Sequence, residues 1–183
     1  MRISIANFYS SLDNQKAKQI YIGYSSYQPD RWIEAYKINS ELLNSRACIA
    51  IKRYSGSLYI NLDKIIKDKL ADGSLDNILI ISALHGPTHP MDYLPFYDLT
   101  MRDLWCNTRM LKDMWPIWIK KFSSDYLKEF LENFDNALLL LNNDYKPAAM
   151  VFKELVPRLK IKDLNIKGKR AANIINKSLI KLL

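Results

Sequence analysis

Cysteine is scarce in this chain, and the two present, Cys48 and Cys106, lie far apart with neither in a C-x-x-C pair. That excludes a disulfide framework and a zinc ribbon, and both are expected to be buried free thiols. Glycine is almost as rare, at five residues, while hydrophobic residues make up 49% and charged residues 25%. Such a composition excludes long disordered segments and collagen-like or linker stretches. Long apolar runs are missing as well: none approaches the ~20 residues of a membrane-spanning helix. The opening MRISIANFYSSLDNQKAKQ turns polar too early for a signal peptide's apolar core. A cytoplasmic protein with no membrane partner is expected, and 183 residues suffice for one domain with a substantial core.

Basic charge is present in one place. Lys153, Arg158, Lys160, Lys162, Lys167, Lys169, Arg170, Lys177 and Lys181 face only Glu154 and Asp163 in the last 31 residues, so +7 of the net +8 sits there. A concentrated basic end is the electrostatic footprint of a partner carrying phosphates, since each contact releases condensed counterions. It is equally the pattern of a solvated helix face.

Strands are expected at Arg2 to Ala6, Ala47 to Ile51, Leu58 to Ile60, Ile78 to Leu84 and Ala137 to Leu141, from short apolar or alternating runs. Helices are expected at Gln15 to Ile20, Trp32 to Leu43 after a reset at Ser26 to Asp30, and Asn61 to Leu70 ended by Asp72-Gly73. Thr100 and Asp103 have capping-box spacing for a helix over Met101 to Met114, which Pro116 should interrupt, and Ser123 or Ser124 can cap Asp125 to Phe134. Alternating strands and helices predict an α/β fold with a mainly parallel central sheet flanked by helices. The division expected is an α/β body over 1–152 and a basic helical segment over 153–183.

Both histidines fall just after the clearest strand, within NILIISALHGPTHPMDYLPFYDLTM. Ligands gather outside the carboxyl ends of strands in open α/β sheets, so this loop is the first candidate site. His85, His89, Asp92 and Asp98 lie close in sequence there, and imidazoles and carboxylates are the groups that move protons near neutrality. Gly86, Pro87 and Pro90 break any helix that would aim His85 and His89 at one metal, so no metal and no cofactor are expected. The plainer reading has His85 packed at the strand end while Pro90 and Pro95 shape a turn.

The order Ser82, His85, Gly86, Pro90, Asp92, Pro95, Tyr97, Asp98 and Met101 resembles the signature of the YaaA-like family. That signature is a strand ending in Ser-x-x-Tyr/His-Gly, a Pro-x-Asp step and Pro-Tyr-x-Leu-x-Met. Ala17 to Tyr21 is similar to the family's Ala-x-x-Leu-Tyr segment, and Leu104-Trp105 and Met114-Trp115 to its following helix. Asp98 stands where the peroxide-stress branch usually has Arg, as in smaller, uncharacterised relatives. Phe8 to Ser11 occupies the neighbourhood of those relatives' usual cysteine. The resemblance implies nucleic-acid binding and a stress-protective role.

At the other end, LNIKGKRAANII over Leu164 to Ile175 half-matches a helix-hairpin-helix, a motif whose turn holds a DNA phosphate on backbone N–H groups. The alternative is a plain amphipathic helix with Ala171, Ala172, Ile175 and Leu179 on its apolar face. Either leaves Lys160, Lys162, Lys167, Gly168, Lys169 and Arg170 as nonspecific phosphate contacts. A different class of function would be an enzyme acting on a nucleoside, nucleotide or modified base. His85, Asp92 and Asp98 would then be catalytic, with Ser82, Gly86, His89, Pro90 and Tyr97 binding the ligand. A third is a scaffold presenting its Tyr and Trp residues to protein partners.

Overall fold

The computed structural model describes residues 2–23 and 28–180. The turn expected at Ser26 to Asp30 lies partly outside the described residues, and Lys181 lies wholly outside them. Ile5, Tyr9 and Leu12 recur at helical intervals and all three are buried, so the chain opens with helix α1 (Arg2–Ser10). The strand expected at Arg2 to Ala6 is not formed: Ile3, which made the alternation, is 75% exposed. Helix α2 (Asn14–Ile20) starts where the Asp13 carboxylate accepts from Lys16 N–H at 2.8 Å, and it buries Ala17 and Ile20. Helix α3 (Arg31–Ser40) buries Ala35 and Asn39.

Strand β1 (Cys48–Ile49) runs straight into a helical turn, α4 (Ala50–Arg53), and Leu58 to Ile60 form part of another, α5 (Ser57–Ile60), where a strand was expected. Helix α6 (Lys64–Ala71) is the amphipathic helix that the spacing of Ile66 and Leu70 predicts. After it, β2 (Ile80–Ser82) and β3 (Gly86–Thr88) make a tight antiparallel hairpin pairing Ser82 with Gly86. Strand β2 is buried on both faces: Ile80 packs into a core with Ile66, Leu70 and Leu94, and Ile81 into the larger core around Trp115. This double burial explains the continuous apolar run.

Strand β4 (Tyr93–Leu94) returns to pair with β1. The helix expected over Met101 to Met114 gives way to a second hairpin, β5 (Leu104–Trp105) with β6 (Arg109–Met110). Its turn places Cys106 and Asn107 at φ 50° and 61°, as primed hairpin turns require. Cys106 is therefore exposed and Cys48 half-buried, contrary to the expectation of two buried thiols. Helix α7 (Leu111–Phe122) runs through Pro116. An interior proline costs about 3 kcal/mol. Leu111, Trp115, Trp118 and Ile119, all buried on one stripe, supply enough packing to hold the helix.

Helix α8 (Ser124–Leu131) leads to a βαβ unit: β7 (Asn136–Leu139), α9 (Lys146–Leu155) and β8 (Lys160–Asp163), with the strands parallel. Helix α10 (Lys169–Ile180) then buries Ala172 and Leu179 in the smaller core. Strand β8 and an irregular stretch over 164–167 precede Gly168 where a first helix would have to stand, so no helix-hairpin-helix is made. The fold is thus one domain of mixed helices and short strands, and the expected mainly parallel central sheet is absent. Among the described residues the strands form four two-stranded sheets, and β7–β8 is parallel while three are antiparallel. The apolar runs that looked like strands of one sheet instead satisfy their backbones in separate two-stranded pairs and in helices. No helix of the described residues is long and apolar enough to cross a membrane.

Candidate functional site

The β2–β3 hairpin is held by Trp115, whose indole N–H donates to the Ala83 carbonyl at 2.8 Å. Gly86 sits at φ 71° against the Trp115 ring, where any Cβ would overlap the ring atoms. A turn this close to a buried tryptophan requires glycine for both reasons. The turn carries His85, and its backbone N–H donates to Ser82 Oγ at 2.9 Å. Ser82 Oγ in turn lies 2.8 Å from the Tyr97 hydroxyl, which lies 2.8 Å from the Tyr54 hydroxyl. Three hydroxyls therefore stand in series, with the His85 ring centred 6.3 Å from that of Tyr97. Tyr59 stacks on Tyr54 at 5.0 Å. Burial pushes the Tyr54, Tyr59 and Tyr97 phenols above their ordinary range, so near neutrality they remain protonated donors.

The expected site residues divide among three places. Ser82, His85, Gly86 and Tyr97 share the hairpin and its phenol relay. His89, Pro90 and Asp92 form a separate turn, in which an exposed Asp92 carboxylate accepts from His89 N–H at 2.9 Å and the Pro90 carbonyl accepts from Ile51 N–H at 3.0 Å. Asp98 belongs to a third assembly centred on Arg31. One Arg31 nitrogen reaches Asp98 Oδ1 at 2.7 Å, and the guanidinium meets both Asp103 oxygens, at 3.1 and 3.2 Å. Asp103 is fully buried and also accepts from Thr100 N–H at 2.7 Å and Gly23 N–H at 2.9 Å. Asn39 clamps the Asp98 backbone from both sides, donating to its carbonyl at 2.7 Å and accepting from its N–H at 3.0 Å.

This arrangement decides what Asp98 can do chemically. With Arg31 as its partner it is a charge-paired carboxylate, while Asp103 is its buried counterpart. Burial raises the Asp103 carboxyl above the usual range against the pull of Arg31. Burial would lower Arg31, but the two carboxylates outweigh it and hold the guanidinium above its ordinary value. Sequence reasoning missed Arg31, Asp103 and Tyr54. The one available signal was Asp103 three residues after Thr100: half of the capping box does form, with the carboxylate on the Thr100 N–H, although the chain then turns into a hairpin instead of a helix. Among the described residues no group of three His, Cys, Asp or Glu side chains is placed to hold a metal ion.

At the basic end, Lys160, Lys162, Lys167, Lys169 and Arg170 are all exposed. Gly168, at φ 59°, precedes α10 and lies against Ser57, so α10 begins beside α5. Lys160 and Lys162 lie on the open face of the β7–β8 pair with Asn136 and Leu138, while Ala137 and Ile161 face the core. Just past the carboxyl ends of both strands is a pocket of about 80 Å³ lined by Leu141, Asn142, Asn143, Asn165, Ile166 and Lys167. Because α5 also carries Tyr59, packed contacts run from the start of α10 through Ser57, Tyr59 and Tyr54 to the phenol relay.

Comparison with known proteins places this geometry in a family. The family model described as peroxide stress protein YaaA matches residues 3–176. A UPF0246 protein of Polynucleobacter necessarius subsp. necessarius (strain STIR1) is 34% identical over 92 residues, which is 50% of this chain and 35% of that relative. The matched stretch thus spans about a third of that curated relative's length. No solved structure matches the chain. With the family model running from α1 into α10, through the hairpin, the Arg31 assembly and the basic end alike, the chain belongs to the YaaA peroxide stress protein family.

Proposed function

We propose that this chain binds nucleic acid through its phosphate backbone, using Lys160, Lys162, Lys167, Lys169 and Arg170, and that this binding serves protection under peroxide stress. One observation carries the reading: these five exposed cations have no ion-pair partner among the described residues. Their basic neighbours Lys146 and Arg158 are, by contrast, engaged with Asp163 and Asp135. Unpaired cations in one stretch bind polyanions without first losing a salt bridge. Gly168 belongs to the same surface through its place at the start of α10. In Lys167→Gln/Lys169→Gln/Arg170→Gln the fold should persist, since all three side chains are solvated. Affinity for a short fluorescent DNA, followed by anisotropy, should fall, and the slope of log K against log salt should flatten by about 2 to 3. A parent protein that binds no DNA at ~50 mM salt would end this reading.

A second reading rests on the relay of Ser82, Tyr97 and Tyr54. It is an enzyme site for a nucleoside, nucleotide or modified base, with the hydroxyls orienting the ligand and the His85 imidazole exchanging a proton. The support is their convergence at one hairpin, where hydroxyls and an imidazole stand together while Asp98 is engaged by Arg31. Tyr97→Phe removes one oxygen and interrupts the relay while keeping the ring. Calorimetry against a panel of nucleosides and nucleotides should show a ligand that the parent binds and the variant loses. Identical heats for both proteins across the panel would count against it.

A further inference from the structure

We infer that the pocket beyond β7 and β8 takes the base of a single-stranded nucleic acid, and that it favours a base with two neighbouring acceptor atoms, guanine above all. This rests on the nucleic-acid reading above and specifies its ligand. The two strands are parallel, so their carboxyl ends open at the same edge and the loops that follow form one pocket. That is where α/β units present ligand sites. The lining has the composition of a base-reading surface. Leu141 and Ile166 offer apolar area to a ring face, and Asn142, Asn143 and Asn165 offer carboxamides to its edge. Lys167 meets the adjoining phosphate.

Two of those carboxamides have a settled orientation. Asn142 Oδ1 accepts from Asp144 N–H at 3.0 Å, and Asn165 Oδ1 accepts from Lys146 Nζ at 3.0 Å. Lys146 is itself held by Asp163 at 2.7 Å. With each oxygen already accepting, the NH₂ groups are what both side chains have left to offer a ligand, which favours donation by the pocket. Guanine presents O6 and N7 as neighbouring acceptors, whereas adenine presents one acceptor beside a donor. A pocket of about 80 Å³ admits the edge of a ring system and not a whole nucleotide. The base must therefore be unstacked and turned inward, which a single strand allows at least cost.

The approach to the pocket fits an extended strand. Lys160 and Lys162, two residues apart on the open face of β8, are spaced about 6.6 Å along the strand. They can engage successive phosphates leading to the edge where the pocket opens. Leu138 lies opposite Lys162 on the neighbouring strand and gives apolar cover for the backbone sugars.

The test compares four probes by anisotropy at low salt: a short thymidine strand, the same strand with one guanine, the same with one adenine, and a duplex. The guanine strand should bind about tenfold tighter than the thymidine and adenine strands, and tighter than the duplex. Asn143→Leu occupies the pocket from an exposed position, and it should abolish the guanine advantage while leaving the salt slope unchanged. Lys160→Gln/Lys162→Gln should do the converse, flattening the single-strand slope by about 1.4 and keeping the preference. Equal binding of all four probes, or a preference that survives in Asn143→Leu and in Asn143→Ala, would overturn the pocket assignment while backbone binding stood. Absence of binding to every probe would instead remove both proposals.

Discussion

Asp103→Ala is expected to destabilise the fold by about 3 to 5 kcal/mol, lowering the thermal midpoint by on the order of 10 °C. The two Asp103 oxygens, fully buried, take both Arg31 nitrogens and the backbone N–H groups of Gly23 and Thr100. Removing the carboxylate orphans two buried backbone donors and leaves the guanidinium, 7% exposed, with Asp98 as its remaining acidic partner. A buried charge stripped of one partner costs more than the intact pair ever contributed.

Because the penalty lies in the stranded charge, Arg31→Met/Asp103→Ala should lose less than the sum of its single variants, with a coupling above about 1 kcal/mol. Glycine at position 23 belongs to the same device: a Cβ there would collide with Thr100 Oγ1 and press on Asp103. Denaturant titration measures all three variants. An Asp103→Ala protein within about 0.5 kcal/mol of the parent would show that the ion cluster is solvated in solution.

The second large effect appears in alkali. Burial raises the phenols of Tyr9, Tyr21, Tyr54, Tyr59 and Tyr97 above the ordinary tyrosine value. In the unfolded chain each ionises near pH 10, while the folded chain keeps them protonated, so above that pH the unfolded state binds fewer protons. Their stabilising contribution is complete below about pH 10 and is lost as pH rises beyond it. With all five acting together, stability should fall by up to about 7 kcal/mol per pH unit, which exhausts a typical domain within about two units.

These five phenols should ionise in one cooperative step that coincides with loss of far-ultraviolet circular dichroism. A tyrosinate absorbance that rises smoothly, with no step at the loss of circular dichroism, would contradict the burial of these five rings.

Periodicity carried parts of the fold into the sequence plainly. Ile66 and Leu70 at helical spacing, Ile80 to Ser82 as a doubly buried strand and the β7 run could be read because burial on one or two faces writes itself into residue order. The first segment misled because Ile3 and Ile5 alternate over too few residues to distinguish a period of two from one of 3.6, and Tyr9 settles the matter only once its burial is known. The β5–β6 turn left no trace, since Cys106-Asn107 lacks the glycine that announces such turns.

What the amino-acid order determined by itself is the concentration of positive charge, the scarcity of thiols, the family signature and the closeness of His85, Gly86 and Tyr97 along the chain. These are properties of composition and local spacing, and they survive any arrangement of the elements. The tertiary structure alone decided which groups meet. It separated His89 and Asp92 from His85, gave Asp98 to an arginine 67 positions away, brought Tyr54 to Tyr97 and set Asn142 beside Asn165. Those meetings join residues far apart in sequence, and their energies depend on burial and on partners that no local window contains.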